Sequence, residues 1–73
     1  MKTRYRFIHF TEHTGPDGQY WNCTNNKNGC ILGVLNHYPS WNQWVFEQSG
    51  PGIIFSADCL QDIAHFMGQL KKP

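Results

Sequence analysis

Three cysteines and four histidines are the side chains of this chain best suited to hold a metal. Their spacing does not suit one. Six residues separate Cys23 from Cys30, where a zinc knuckle uses roughly two to four. His9 and His13 have the spacing that a helix would bring together, but the residues around them read as strand and turn. The cysteines read instead as small buried hydrophobes. No metal and no cofactor is expected, and the protein should fold without zinc and keep its thiols free. Cys59 is the one cysteine placed as a nucleophile is. It falls at the third position of a predicted helix, where free N–H groups and the helix dipole favour a thiolate. Asp58 opposes that charge, and Cys59 lies on the apolar stripe, so the pattern reads as a packed cysteine. The carboxylates Glu12, Asp17, Glu47, Asp58 and Asp62 are scattered over turns and helix and form no acid–base pair. Gly50-Pro51-Gly52 precedes a short extended run and lacks the helix N-terminus that cradles phosphate. No reaction is specified, and the protein is expected not to be an enzyme.

Two other sets of residues suit binding. Lys2, Arg4 and Arg6 recur at every second position of a predicted strand, while Tyr38, Trp41 and Trp44 gather around one predicted hairpin. Sheet aromatics with nearby cations can stack bases. The same three cations also protect an edge strand from pairing with another sheet. A net charge of +1 leaves little of the salt-dependent attraction on which nucleic-acid binding rests. Tyr and Trp are equally the residues of protein-interaction hot spots. If Trp44 and Phe46 face the core, parity along the strand sends Trp41 and Gln43 to the opposite face; the alternative is a bulge after Pro39 that turns Trp41 inward to fill the end of the core. The expected site is therefore Tyr38, Trp41 and Gln43, with Arg4 and Arg6. Its leading occupant is a protein, which includes a second copy of this chain. Nucleic acid, held by the sheet aromatics and Lys2, Arg4 and Arg6, is the alternative.

The elements that must position these residues fit one small domain. A chain of 73 residues buries only about 60% of its unfolded surface, and bulky side chains compensate. Three Trp, three Tyr and five Phe supply them. No apolar run approaches the roughly 18 residues of a membrane span. The N-terminal residues lack the apolar stretch of a secretory signal. An odd number of cysteines argues against a disulfide framework, so a reducing cytoplasm is the expected setting.

The pattern predicts an α+β fold: an antiparallel meander of four or five short strands, packed by one C-terminal helix. Strands are expected over residues 2–11, 19–25, 30–38, 41–47 and 53–55, and the helix over 57–71. Gly15-Pro16-Asp17-Gly18 is a strong turn signal. Asn26-Lys27-Asn28-Gly29 suits a type I turn with Gly29 in the left-handed position. That turn pairs Asn26 with Cys30, Trp21 with Leu35 and Cys23 with Gly33. Trp21, Cys23, Ile31, Gly33, Leu35 and His37 then share the face toward the helix. Asn22, Thr24, Val34 and Asn36 take the other. Gly33 is expected to make room for the helix or for Trp21. Ser56 is the N-cap, with Asp58 in the first turn. Leu60, Ile63, Ala64, Met67 and Leu70 form the apolar stripe, widened by Cys59 and Phe66, with Ile63 deepest. Lys71 and Lys72 suit the helix C-terminus, and Pro73 ends the chain.

From Asn28 onward the sequence resembles a group of small bacterial and phage proteins without an assigned function. The matching residues are Asn28-Gly29, Leu32-Gly33, Tyr38, the run Trp41-Asn42-Gln43-Trp44-Val45-Phe46, then Phe55-Ser56 and Cys59 to Phe66. The resemblance implies a strand-rich domain with a terminal helix and brings no catalytic residues. This chain departs from the pattern at His37, where Trp is usual, and at Asn42, where a basic residue is usual. No role is placed on either. The expected function is that of a small non-enzymatic binding or regulatory protein of bacterial or phage origin, docking an aromatic sheet face onto a partner.

Overall fold

The computed structural model describes residues 1–70; the expectations for Lys71, Lys72 and Pro73 lie outside them. Four antiparallel strands follow one another across a single sheet: β1 (Ile8–Gly15), β2 (Gly18–Asn25), β3 (Ile31–Tyr38) and β4 (Gln43–Gln48). One helix, α1 (Ala57–Gln69), comes last. The α+β meander is the fold expected, with four strands. Residues 53–55 form no strand: Ile54 is exposed, and Phe55 instead packs its ring against Phe46.

The β1–β2 hairpin turns at Pro16-Asp17, with Gly15 opposite Gly18. Proline fixes φ near −65°, so the positive φ that closes so tight a hairpin falls to Gly18, at 113°. The first strand does not begin at residue 2. The chain bends at Arg6-Phe7 and doubles back beside β1, with Arg4 opposite His9. Tyr5 N–H donates to the Ile8 carbonyl (2.8 Å) and Phe10 N–H to the Thr3 carbonyl (2.8 Å). Asn26 clamps this reversal. Its Nδ2 donates to the Tyr5 and Arg6 carbonyls, its N–H donates to the Phe7 carbonyl, and its Oδ1 lies 2.6 Å from His9 Nδ1. An amide oxygen only accepts, so His9 carries its proton on Nδ1.

Between β2 and β3, Trp21 opposes Leu35 and Cys23 opposes Gly33, as the turn chemistry predicts. The turn itself is one residue out. Asn25, not Asn26, donates to the Cys30 carbonyl, and the register shifts after Cys23 so that Thr24 faces Ile31. The bulge corrects one side-chain assignment: Ile31 is exposed, and Leu32 packs against the core in its place. Gly33 does make room, but for Phe46. A Cβ there would stand 2.7 Å from both Phe46 Cε1 and the Glu47 carbonyl oxygen, so neither the helix nor Trp21 is the reason.

Helix α1 starts as expected: Ser56 Oγ accepts from Cys59 N–H (3.2 Å), and Asp58 lies in the first turn. Its buried face centres on Phe66, which is fully buried, with Ile63 at 4% exposure. Leu60 is 51% exposed and Ala64 is also exposed, so the stripe is narrower than the periodicity suggests. Phe66 stacks on Phe10 (3.9 Å between ring centroids) and meets Trp21 edge-on (5.0 Å). Those rings, with Ile8, Cys23 and Leu35, are the centre of the core. Trp44 and Phe46 pack against it from β4. The N-terminal segment is tied to the far end of the helix. Gln69 Nε2 donates to the Lys2 carbonyl (2.7 Å), and the Tyr5 hydroxyl shares a hydrogen bond with His65 Nδ1 (2.7 Å).

Candidate functional site

With one helix for one sheet, the second face of the sheet is left open. Alternation puts His9, Thr11 and His13 of β1 on it, then Tyr20, Asn22 and Thr24 of β2, Ile31, Val34, Asn36 and Tyr38 of β3, and Gln43, Val45 and Glu47 of β4. Most of these are polar and sit comfortably in water. At one corner of the face, around the β3–β4 connection, the character changes.

There the chain leaves β3 at Tyr38 and rejoins the sheet at Gln43, its pairing partner. Trp41 N–H donates to the Tyr38 carbonyl and Asn42 N–H to the Pro39 carbonyl, both at 3.1 Å. Asn42 has φ 51°, a left-handed conformation that Asn tolerates better than most residues. These bonds build a compact tip with Trp41 on its outside. The fourth strand thus begins at Gln43 rather than at residue 41. Trp41 is 65% exposed because it sits in the loop, not because of strand parity. Its ring meets Tyr38 edge-on, 4.9 Å between centroids at 75°, and Tyr38 is itself 43% exposed. Edge-on aromatic contact is worth about 0.5–1.5 kcal/mol beyond area, enough to favour one orientation of an otherwise free indole. The exposed amide of Gln43 stands across from Tyr38 on the same face. Tyr38, Trp41 and Gln43 therefore form one surface.

Arg4 and Arg6 do not join it. Arg6 lies in the N-terminal bend, where its carbonyl accepts from Asn26 at the β2–β3 turn. That turn is at the opposite end of β3 from Trp41. Eight residues at about 3.3 Å each separate the two ends by roughly 25 Å. The bend also lies beyond β1, at the edge of the sheet remote from β4. Lys2 and Arg6 instead cover neighbouring rings, with the Lys2 ammonium 4.7 Å from the Tyr5 centroid and the Arg6 guanidinium 5.0 Å from that of Phe7. Among the described residues, no Lys or Arg occurs in any of the four strands.

Beside the aromatic corner, an open groove of about 1010 Å³ separates the tips of the two hairpins. Tyr20, Asn36, His37, Pro39 and Trp44 are among its lining residues. Reading the sequence placed His37 on the inner face and assigned it no role. The groove arises from how the two hairpins diverge, which no local pattern encodes.

The reactive side chains lie elsewhere. Cys23 is fully buried beneath the helix, and burial, reinforced by nearby Cys59, pushes its thiol up to about 12. Cys59 is half-buried, and Cys30 is exposed, contrary to the expectation that all three cysteines are buried. Among the described residues, no three His, Cys, Asp or Glu side chains gather where they could hold one ion. No protein-family model, curated protein or solved structure compared with this chain matches it.

Proposed function

We propose that the protein is a small non-enzymatic binding module that docks the aromatic corner of its open sheet face onto another protein. The reading rests on one observation: Trp41 stands 65% exposed on a hydrogen-bonded tip, braced edge-on by Tyr38. A large ring held away from the core forgoes the burial it could contribute, and an exposed apolar patch marks an interaction site. Trp and Tyr with an adjacent amide offer apolar area together with hydrogen bonding, the composition of an interaction hot spot. A bacterial or phage origin and a cytoplasmic setting belong to the same proposal. No helix among the described residues is long and apolar enough to cross a membrane. A second copy of the chain would meet the same surface, since a two-fold contact needs only a self-complementary patch.

The test compares wild type with Trp41→Ala as tagged baits in host lysate, alongside sedimentation of the purified protein. The reading expects a stoichiometric protein, or a dimer, that the variant fails to hold. Tight binding of an oligonucleotide, with no protein partner and no dimer, would replace it with the nucleic-acid alternative.

A further inference from the structure

The groove between the hairpin tips is a place where a β-ladder stops before its strands do. β2 extends from Gly18 and β3 continues to Tyr38, yet their pairing ends at Trp21 opposite Leu35. Which backbone groups face the gap follows from hydrogen bonds elsewhere. In β1, Ile8 accepts from Tyr5 and Phe10 donates to Thr3, so the even-numbered residues of β1 point away from β2. The odd-numbered ones point toward it, and their partners on β2 are the even-numbered Gly18, Tyr20, Asn22 and Thr24. The odd-numbered residues of β2 therefore point toward β3. Asn25, which donates to Cys30, confirms the phase. On β3, Leu32 accepts from Ser49 on the β4 side. Past the bulge, Gly33 and Leu35 oppose Cys23 and Trp21, so His37, two residues beyond Leu35, also points toward β2. Past the last paired residues, the N–H and C=O of Gln19 and of His37 thus face each other across the groove.

Its walls agree with this geometry. Gln19 and Asn36 contribute amides, while Tyr20 and Trp44 contribute rings; Asp17 is the one charged residue in the lining, among the described residues. His37 Nε2 is buried without a hydrogen-bond partner.

We infer that this split between the hairpins receives an extended, neutral or basic segment of the partner protein, which enters as a short strand between β2 and β3. The inference rests on the protein-docking reading and says how the partner is gripped. An extended chain turns the N–H and C=O of one residue to one side and those of the next residue to the other. Because β2 and β3 run antiparallel, the inserted strand is antiparallel to one and parallel to the other, and three consecutive residues supply what the gap lacks: lying antiparallel to β2, the middle one exchanges both bonds with Gln19, while the C=O of the residue before it and the N–H of the residue after it meet His37. Main-chain pairing of this kind provides affinity without demanding a particular sequence. The carboxylate of Asp17, unopposed in the lining, disfavours an acidic segment.

The experiment is an NMR titration of the labelled protein with acetyl-Thr-Val-Lys-Val-Thr-amide, its Lys→Asp counterpart, and a version with the central amide replaced by an ester. The free protein should show fast amide exchange at Gln19 and His37 and slow exchange at Trp21 and Leu35. The Lys peptide should shift and protect Gln19 and His37. The Asp peptide should bind more weakly, and the ester about tenfold more weakly, as expected for losing one well-made hydrogen bond. Slow exchange at Gln19 and His37 in the free protein would overturn the inference, because the gap would already be closed. So would peptide shifts confined to Tyr38 and Trp41, although the docking reading would then survive. Protection at Gln19 and His37 that Trp41→Ala leaves unchanged would uphold the groove and count against the aromatic corner.

Discussion

Adding one methyl group at Gly33 should destabilise this protein by about 1–2 kcal/mol, and the structure shows where the loss arises. An alanine Cβ would lie 2.7 Å from Phe46 Cε1 and 2.7 Å from the carbonyl oxygen of Glu47. The ring can rotate away only by giving up its edge-on contact with Phe55, 5.4 Å between centroids. The carbonyl belongs to the residue paired with Val34, so moving it disturbs the β3–β4 ladder. Overpacking of this kind costs roughly 1–3 kcal/mol. Against it stands a gain of about 0.4–1 kcal/mol, because alanine restricts the unfolded chain and Gly33 has no left-handed φ that alanine would resist. For a domain of this size, about 1 kcal/mol moves the melting temperature by roughly 4–8 °C. Thermal unfolding followed by far-UV circular dichroism, with a urea titration followed by Trp fluorescence, measures it. Gly50→Ala is the control: nothing lies within 4 Å of its Cβ position and its φ is not positive, so its stability should change by about 0.5 kcal/mol or less. A Gly33→Ala protein as stable as wild type would mean that Phe46 does not lie over Gly33, and would refute the packing of β4 described above.

Phe66→Ala should cost about 3–5 kcal/mol and Ile63→Ala roughly 2–5 kcal/mol, whereas Leu60→Ala should change stability by about 0.5 kcal/mol or less; denaturant unfolding of the three variants checks the order. Timed alkylation with mass spectrometry should label Cys30 first and Cys23 only on unfolding, given the exposure of one and the burial of the other. Native stability should fall as pH rises from the ordinary thiol value of 9.0 toward the Cys23 value of about 12. The folded state holds that proton more tightly than the unfolded chain does, and the stability it contributes is lost across that window. Tyr5, raised above its ordinary value by burial and then by Asp62, acts in the same direction. Urea midpoints at pH 8, 10 and 11 measure the combined effect, and the Cys23 contribution should disappear in Cys23→Ala.

The parts of the fold that local chemistry dictates were legible. Pro16-Asp17-Gly18 marks its turn and Ser56 caps its helix, while the expected pairing of Trp21 with Leu35 holds because the bulge after Cys23 offsets a β2–β3 turn that closes one residue away from where the sequence puts it. The N-terminal reversal was not legible, for a definite reason. Residues 2–6 are extended on one side of the bend and β1 on the other, so alternation runs through both arms. No Gly, Pro or Asn marks Arg6-Phe7 as a turn. The bend is held from a distance, by Asn26. Leu60 was misjudged because it lies six residues, or about 240° of helix rotation, from Phe66. A sheet four strands wide supports a narrower stripe than the sequence offers. At the candidate site, the sequence leaves Trp41 between exposure by strand parity and an inward turn at a bulge after Pro39, and Trp41 is exposed because it belongs to the tip. The groove depends on where the β2–β3 ladder stops, a relation between hairpins that no stretch of sequence records.

The central claim is that Trp41 serves binding and not folding, and one variant tests it most directly. Trp41→Ala should keep the wild-type melting temperature within the range of a surface substitution, about 0.5 kcal/mol or less. Measured on the same preparation, its affinity for the wild-type partner, or for itself, should fall by at least about tenfold, as expected for loss of a hot-spot Trp. A Trp41→Ala protein that loses roughly 3–5 kcal/mol of stability, or one that binds as tightly as wild type, would contradict the account.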